Sequence, residues 1–285
     1  MATRGELRAR GLQALRAAGV AAPALDADVL LAHVAGVGKE ALVAHPEAVL
    51  PPDAERRYDE LLSRRARGEP VAYLRGYKEF YGITLGVDPR VLVPRPETEV
   101  LVDAVRAFAA GRQLSVVDVG TGSGAIAIAL ARSEPALRIL ATDLSADALA
   151  VARDNAAANG VAARITFLQG DLLAPVAEPV DCVAANLPYL PADALDDLSG
   201  LSGLFGDRAA LAFEPRLATL AGPDGLDLIR RAAADLRRVL RPGGAAFFEC
   251  DPPQVAALVQ LLAPIGPTSV IPDLTGGDRV VAVRP

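Results

Sequence analysis

The spacing of apolar residues changes twice along the chain, and the changes divide it. From residue 3 to about residue 75 they recur at helical intervals. Leu7, Leu12 and Leu15 continue on one face, Asp26 to Val34 is a second apolar-rich stretch, and Tyr58, Leu61 and Leu62 share one side of a third. Thr3 followed by Glu6 is a capping-box pattern for the first helix. Pro51-Pro52-Asp53 opens the third, with Arg56, Arg57, Arg64 and Arg65 expected to point outward. Phe80 to Val87 then reads as a strand, Asp88-Pro89-Arg90 as a turn, and Val91-Leu92-Val93 as a second strand.

From Pro96 onward helical and strand patterns alternate. Helices are predicted over 96–110, 123–133, 145–159, 224–240 and 253–263. Strands are predicted over 114–119, 137–142, 164–169, 180–185 and 244–250, with two more near 267–271 and 278–284. Core strands such as Ser115–Val119 are apolar along their length, which implies burial on both faces of a parallel sheet. A tight turn at Thr275-Gly276-Gly277-Asp278 suggests one antiparallel strand at the end. The expected organisation is a helical domain over 1–75, a β-hairpin linker over 76–95, and an α/β domain over 96–285.

Composition narrows the classes. At 285 residues with 52% hydrophobic content, the chain can bury a sizeable core. A net charge of −6 makes it a poor non-specific binder of nucleic acid, and no stable nucleic-acid partner is expected. The arginines at 64, 65 and 67 read as a solvated helix end that complements the carbonyl dipoles. Cys182 and Cys250 fall in predicted buried strands and read as apolar packing. His33 and His45 lack a partner at ligand spacing, so no metal is expected. The N-terminus lacks the layout of a signal peptide and no apolar run reaches spanning length. A monomer in the cytoplasm, not engaged with a membrane, is the expectation.

Two short motifs about 65 residues apart carry the chemistry. The first is a strand running into Asp118-Val119-Gly120-Thr121-Gly122-Ser123-Gly124 and then a helix. Glycines let the backbone turn sharply and let a ligand approach without meeting Cβ atoms. The turn lacks the Lys-Ser/Thr ending of a phosphate loop. A carboxylate at Asp118 would repel a pyrophosphate but accept hydrogen bonds from an ammonium, which tilts the choice toward a cofactor with an amino-acid tail, such as S-adenosyl-L-methionine. Asp143, about 20 residues past the glycines, is placed to accept ribose hydroxyls. Asp171 and Leu172 suit the adenine amino group and ring. The second motif is Asn186-Leu187-Pro188-Tyr189. An amide nitrogen is a poor nucleophile and needs positioning and acceptors for its two hydrogens. The Asn186 side-chain oxygen and the Leu187 carbonyl could accept one each, Pro188 would fix the backbone, and Tyr189 could stack on the planar target.

These residues resemble the bacterial protein-(glutamine-N5) methyltransferases that modify peptide chain release factors. The likeness spans nearly the whole length: Gly68–Leu74, Glu79–Gly82, Val93–Glu99, Asp118–Gly124, the Asn-x-Pro-Tyr site, Phe213–Ala218, Asp224–Leu226 and Asp273–Val281. The resemblance implies a seven-stranded class I, Rossmann-like methyltransferase domain using S-adenosyl-L-methionine, with N-terminal helices that help recognise class I release factors. The acceptor would be the glutamine of their Gly-Gly-Gln loop. By the same resemblance, Gly120 to Gly124, Asp143, Leu172 and Asn186 would contact the cofactor. Asn186 to Tyr189 would hold the glutamine, and Arg95, Glu97 and Thr98 would line or brace its pocket.

The departures are specific. Leu187 stands where the family usually has Pro. The stretch Ala192–Leu211, with Leu195, Leu198, Leu201, Leu204 and Phe205, is longer and more apolar than the family's and suggests a lid or an altered choice of acceptor. Cys250-Asp251-Pro252-Pro253 replaces a glycine-containing segment. Two competing readings stay open here: an N6-adenine methyltransferase acting on nucleic acid, and a non-catalytic homologue that only binds the cofactor.

Overall fold

The computed structural model describes residues 1–191 and 208–285, and these group into two compact units. The first holds Met1–Tyr77 with residues 208–214; the second holds 78–191 and 215–285. The apolar segment between Ala192 and residue 207, with its four leucines and Phe205, lies outside the described residues.

In the first unit, α1 (Arg4–Ala17), α2 (Pro23–Ala35), α3 (Lys39–Ala44), α4 (Pro52–Ala66) and α5 (Val71–Arg75) enclose a core of Leu7, Leu15, Leu30, Leu31, Tyr58, Leu61 and Leu62. The capping box at Thr3 forms in both directions, its hydroxyl accepting from Glu6 N at 3.2 Å and its own N–H donating to Glu6 Oε2 at 2.8 Å. Gly11 lets α1 approach α4, because a Cβ there would stand 2.0 Å from the Tyr58 hydroxyl. Arg65 does not point outward as its spacing suggested. It is 3% exposed, and its Nε donates to Asp26 Oδ2 at 2.7 Å. A guanidinium held this way lets its stem join the core while its charge is matched. Arg64 in turn pairs with Glu69.

A hairpin follows at the boundary, β1 (Tyr77–Phe80) and β2 (Ile83–Gly86), of which all but Tyr77 belongs to the second unit. Its turn is Tyr81-Gly82, with φ of +48° and +71°. Two consecutive left-handed residues match the twist of the strands they join. The turn expected at Asp88–Arg90 also forms, through Val91 N donating to Asp88 O at 3.1 Å, but Val91–Val93 is not a strand. Pro89, Pro94 and Pro96 flank it and have no N–H to pair. Phe80, Ile83 and Leu85 of the hairpin join the core of this unit.

Seven strands follow in the order β5-β4-β3-β6-β7-β9-β8. They are β3 (Ser115–Val119), β4 (Arg138–Asp143), β5 (Ile165–Gln169), β6 (Val180–Ala185), β7 (Leu240–Glu249), β8 (Thr268–Pro272) and β9 (Asp278–Val283). β9 runs antiparallel to both neighbours, and the other pairings are parallel. Covering the sheet are α6 (Glu99–Ala109), α7 (Ala125–Ser133), α8 (Ala146–Ala158), α9 (Asp227–Val239) and α10 (Val255–Leu262). Successive residues alternate between two cores: Val116, Cys182 and Ala184 join one, Val117, Val183 and Ala185 the other. Burial on both faces is what the uninterrupted apolar runs required. Both cysteines are buried and free, and burial pushes the Cys250 thiol up to about 12. Among the described residues no helix is long and apolar enough to cross a membrane.

The chain leaves β3 outward through β4 and β5, then returns to the other side of β3 as β6. The carboxyl ends of β3 and β6 therefore flank a topological switch point, where open α/β sheets hold ligands. The core of α7 offers a direct check on the packing. Leu130→Ala, at a fully buried position, should lower stability by roughly 2–5 kcal/mol. Urea denaturation reads this as a lower midpoint at unchanged slope; an unmoved midpoint would mean α7 is not packed as described.

Candidate active site

A cavity of about 260 Å³ opens at the switch point. Gly120 and Gly122 form one wall, Asn186, Leu187 and Pro188 another, and Asp143, Leu144 and Ser145 a third. Asp171, Leu172, Leu217, Leu228 and Arg231 complete much of the rest.

The glycine turn is held by its neighbours. The N–H groups of Gly120 and Thr121 both donate to Thr142 O at 2.9 Å. Gly120, Gly122 and Gly124 all have positive φ, a region costly for other residues. A Cβ on Gly124 would meet Ile128 Cδ1 at 2.9 Å, so this glycine serves helix packing. A Cβ on Gly120 would meet Leu187 Cδ2 at 3.1 Å, so the two motifs touch. Leu187, where the resembled family usually has Pro, is 3% exposed and belongs to the core. Its side chain supports the underside of the turn.

Asp118 sits differently from its expected place beside an ammonium. It is fully buried behind the turn and is not on the cavity wall. Its Oδ2 accepts from Thr121 Oγ1 at 2.6 Å and from Ala127 N at 3.1 Å, while Oδ1 has no partner. Burial raises its pKa to about 7, against the pull of these two donors. Asp118 therefore ties the turn to the start of α7. Thr121, Ser123 and Gly124 likewise lie off the wall.

Asp143 faces the cavity. Its Oδ2 accepts from Gly122 N and its Oδ1 from Ser145 N, both at 2.9 Å. A carboxylate has about four acceptor positions, so the donors it already meets leave some capacity for a ligand hydroxyl. Desolvation raises its pKa. Ser145, not Asp143, caps α8, its hydroxyl accepting from Ala148 N. Asp171 is paired with Arg231 of α9 across the rim. Leu172 holds φ at +50°, with its carbonyl accepting from Thr142 Oγ1 at 2.9 Å.

Asn186 lines the cavity, and a hydrogen bond sets the orientation of its carboxamide. Its Nδ2 donates to Thr98 Oγ1 at 2.9 Å, which leaves Oδ1 to face elsewhere. Thr98, buried before α6, thus holds the Asn186 nitrogen. Arg95 and Glu97 are partly buried just before it and do not line the cavity. Tyr189 is only 7% exposed and is also off the wall, so stacking on a target from this cavity is not what its placement offers. Its environment, which includes Glu249, Arg279 and Arg95, keeps the phenol protonated far above the usual range, burial being the main cause. Its carbonyl accepts from Gln254 Nε2 at 2.8 Å. Gln254 caps back onto Asp251, so the segment that departs at Cys250–Pro253 leads into the residue that holds the Tyr189 carbonyl.

Several wall residues carried no site role in the sequence reading: Arg90, Val91 and Leu92, then Leu217 and Ala218, and Arg231. Their motif-rich segments were visible, but nothing local says which side of the sheet they cover. Among the described residues no cluster of three or more side chains suits a metal ion.

Residues 6–76 match the PrmC N-terminal domain family and residues 96–198 the methyltransferase small domain family. The release factor glutamine methyltransferase of Moorella thermoacetica is 42% identical over 270 residues, covering 93% of this chain and 92% of that one. The protein of the same name from Deinococcus radiodurans is 39% identical, covering 95% and 94%. Among solved structures, the catalytic domain of hMettl16 in complex with MAT2A 3′UTR hairpin 1 has a similar fold, with a TM-score of 0.56 at 14% identity over 85% of this chain and 84% of that one. The 16S rRNA N2 G1207 methyltransferase of T. thermophilus, in complex with AdoMet and guanosine, gives a TM-score of 0.53 at 17% identity over 73% and 49%.

Gly225 tests how tightly the Asn186–Tyr189 loop is held. It has φ of +74°, and a Cβ there would stand 2.0 Å from Tyr189 O. Gly225→Ala should cost about 2 kcal/mol or more of stability, through strain and the displaced backbone. A variant with parental thermal stability would show that Tyr189 is not fixed by this contact.

Proposed function

The chain belongs to the release factor glutamine methyltransferase family, and we propose that it methylates the side-chain N5 of the Gly-Gly-Gln glutamine in class I peptide chain release factors, using S-adenosyl-L-methionine. What supports the reading most is the Asn186 carboxamide: its nitrogen is engaged by Thr98, and its oxygen is free to accept from a planar amide at a cavity walled by the glycine turn. The cavity suits the cofactor's parts. Bare backbone at Gly120 and Gly122 admits a close approach, Asp143 keeps acceptor capacity for a diol, and Leu144, Leu172 and Leu228 offer apolar contact for a ring. When bound, S-adenosyl-L-methionine supplies an electrophilic methyl on a sulfonium.

The chain's own residues would do the rest. Asn186 Oδ1 and the Leu187 carbonyl each accept one hydrogen of the acceptor amide, which fixes the nitrogen and leaves its electron density toward the incoming carbon. Only a backbone carbonyl is needed at Leu187, so the chemistry tolerates Leu in place of Pro. No strong general base is required, because the nitrogen's proton becomes acidic only as the N–C bond forms. We assign recognition of the release factor to the helical unit over 1–75, with the hairpin at 76–95 as connector. The protein would act as a cytoplasmic monomer.

The test is incubation with purified release factors and labelled cofactor, followed by peptide mass spectrometry. The Gly-Gly-Gln peptide should gain one methyl on the glutamine side chain. Asn186→Ala should abolish that gain, with cofactor affinity much less affected. A variant that works at the parental rate would remove Asn186 from the mechanism, and a methyl found on adenine instead would replace the substrate.

A further inference from the structure

Glu249 ends β7 and is 0% exposed. Parallel pairing of Ala185 with Phe248 makes Asn186 and Glu249 the next residues on neighbouring strands. Neither Glu249 oxygen has a partner in hydrogen-bond geometry. A carboxyl removed from water and left in this condition is costly, and a native structure keeps one only for a reason. The groups that face it are the Thr98 hydroxyl, Glu97 and Arg95 before α6, Arg279 of β9, Tyr189, and its neighbours Cys250 and Asp251. Arg279 is 2% exposed and ion-paired with Asp273 at 3.1 Å, so its charge is shared.

Thr98 connects Glu249 to the clamp. A hydroxyl has one proton and two lone pairs. One lone pair takes the Asn186 Nδ2 hydrogen. Glu249, whose pKa the nearby Thr98 lowers, is the acceptor to which the hydroxyl proton would turn, although neither of its oxygens is in hydrogen-bond geometry as placed. Were the Thr98 proton aimed at Asn186, the carboxamide would turn over and offer N–H groups to the acceptor amide, which already has hydrogens of its own. A carboxylate behind Thr98 removes that alternative.

We propose that ionised Glu249 is a positioning residue for methyl transfer, holding the Thr98 proton and so fixing the Asn186 carboxamide with its oxygen toward the acceptor nitrogen. This rests on the reading of Asn186 given above. Burial raises the Glu249 pKa to about 7, with Thr98 and the two guanidinium groups opposing and Glu97 reinforcing. Protonated Glu249 can itself donate to Thr98, and both carboxamide orientations are then allowed. The competent fraction therefore grows as pH rises and Glu249 ionises.

The experiment is the single-turnover rate on a purified release factor between about pH 5.5 and 8.5, with cofactor-product affinity and thermal stability measured in parallel. The parental rate should rise with a midpoint near 7. Glu249→Gln should lower the rate at high pH by about tenfold to a hundredfold, abolish the rise, and leave product affinity within about twofold. Thr98→Val should lose a similar factor, and the double variant should lose no more than either alone. Thr98→Ser keeps the hydroxyl and should retain the rise. A Glu249→Gln enzyme that still shows the rise, or a double variant that loses the product of both factors, would overturn the proposal. A parent that transfers no methyl to the glutamine overturns the substrate reading, and this inference with it; a parent that does, beside an unaltered Glu249→Gln, overturns only the inference.

Discussion

Parallel pairing of β3 with β6 brings the two chemical motifs to one place. Val119 pairs with Ala185, so Gly120 and Asn186 leave the sheet side by side. The pairing depends on strands buried on both faces, since residues of each strand enter both cores. At the strand ends, the Leu187 side chain occupies the space that a Gly120 Cβ would need. The glycine turn and the loop that carries Asn186 are thus one packed surface. Sliding either strand by one residue would exchange its core faces and separate the motifs.

Around that surface the polar groups divide by task. Asp118 is wholly internal and holds the turn to α7, whereas Asp143 holds the turn and still faces the cavity. Each carboxylate meets a backbone N–H of the glycine segment or of the helix after it, so the loop's shape does not depend on the ligand. The clamp has a similar arrangement. Gln254 and the close approach of the Gly225 backbone fix the Tyr189 carbonyl, and Thr98 fixes the Asn186 amide. Orienting these dipoles during folding means that little reorganisation is left for the reaction itself.

Much of this was legible in the residues. Helical and period-free apolar runs located every strand of the large sheet and the helices between them, because those signals are local. The hairpin turn was misplaced, since Tyr81-Gly82 lies within an apolar run and a left-handed Tyr has no local signature. The burial of Arg65 has no local signal, because its partner, Asp26, belongs to another helix. The brace between Thr98 and Asn186 spans 88 residues, and the Asp171–Arg231 pair spans 60. Motif reasoning could nominate Thr98 but not its contact. Glu249 had no motif role at all; its interest comes from its complete burial at the end of β7, next to Thr98 and one strand over from Asn186.

The central claim is geometric: the sulfonium carbon and the acceptor nitrogen meet where β3 and β6 end. A crystal structure with S-adenosyl-L-homocysteine tests it most directly. The sulfur should face the Asn186 carboxamide across the cavity, with the ribose hydroxyls on Asp143. A product molecule bound elsewhere, or one whose sulfur points away from Asn186, would contradict the account.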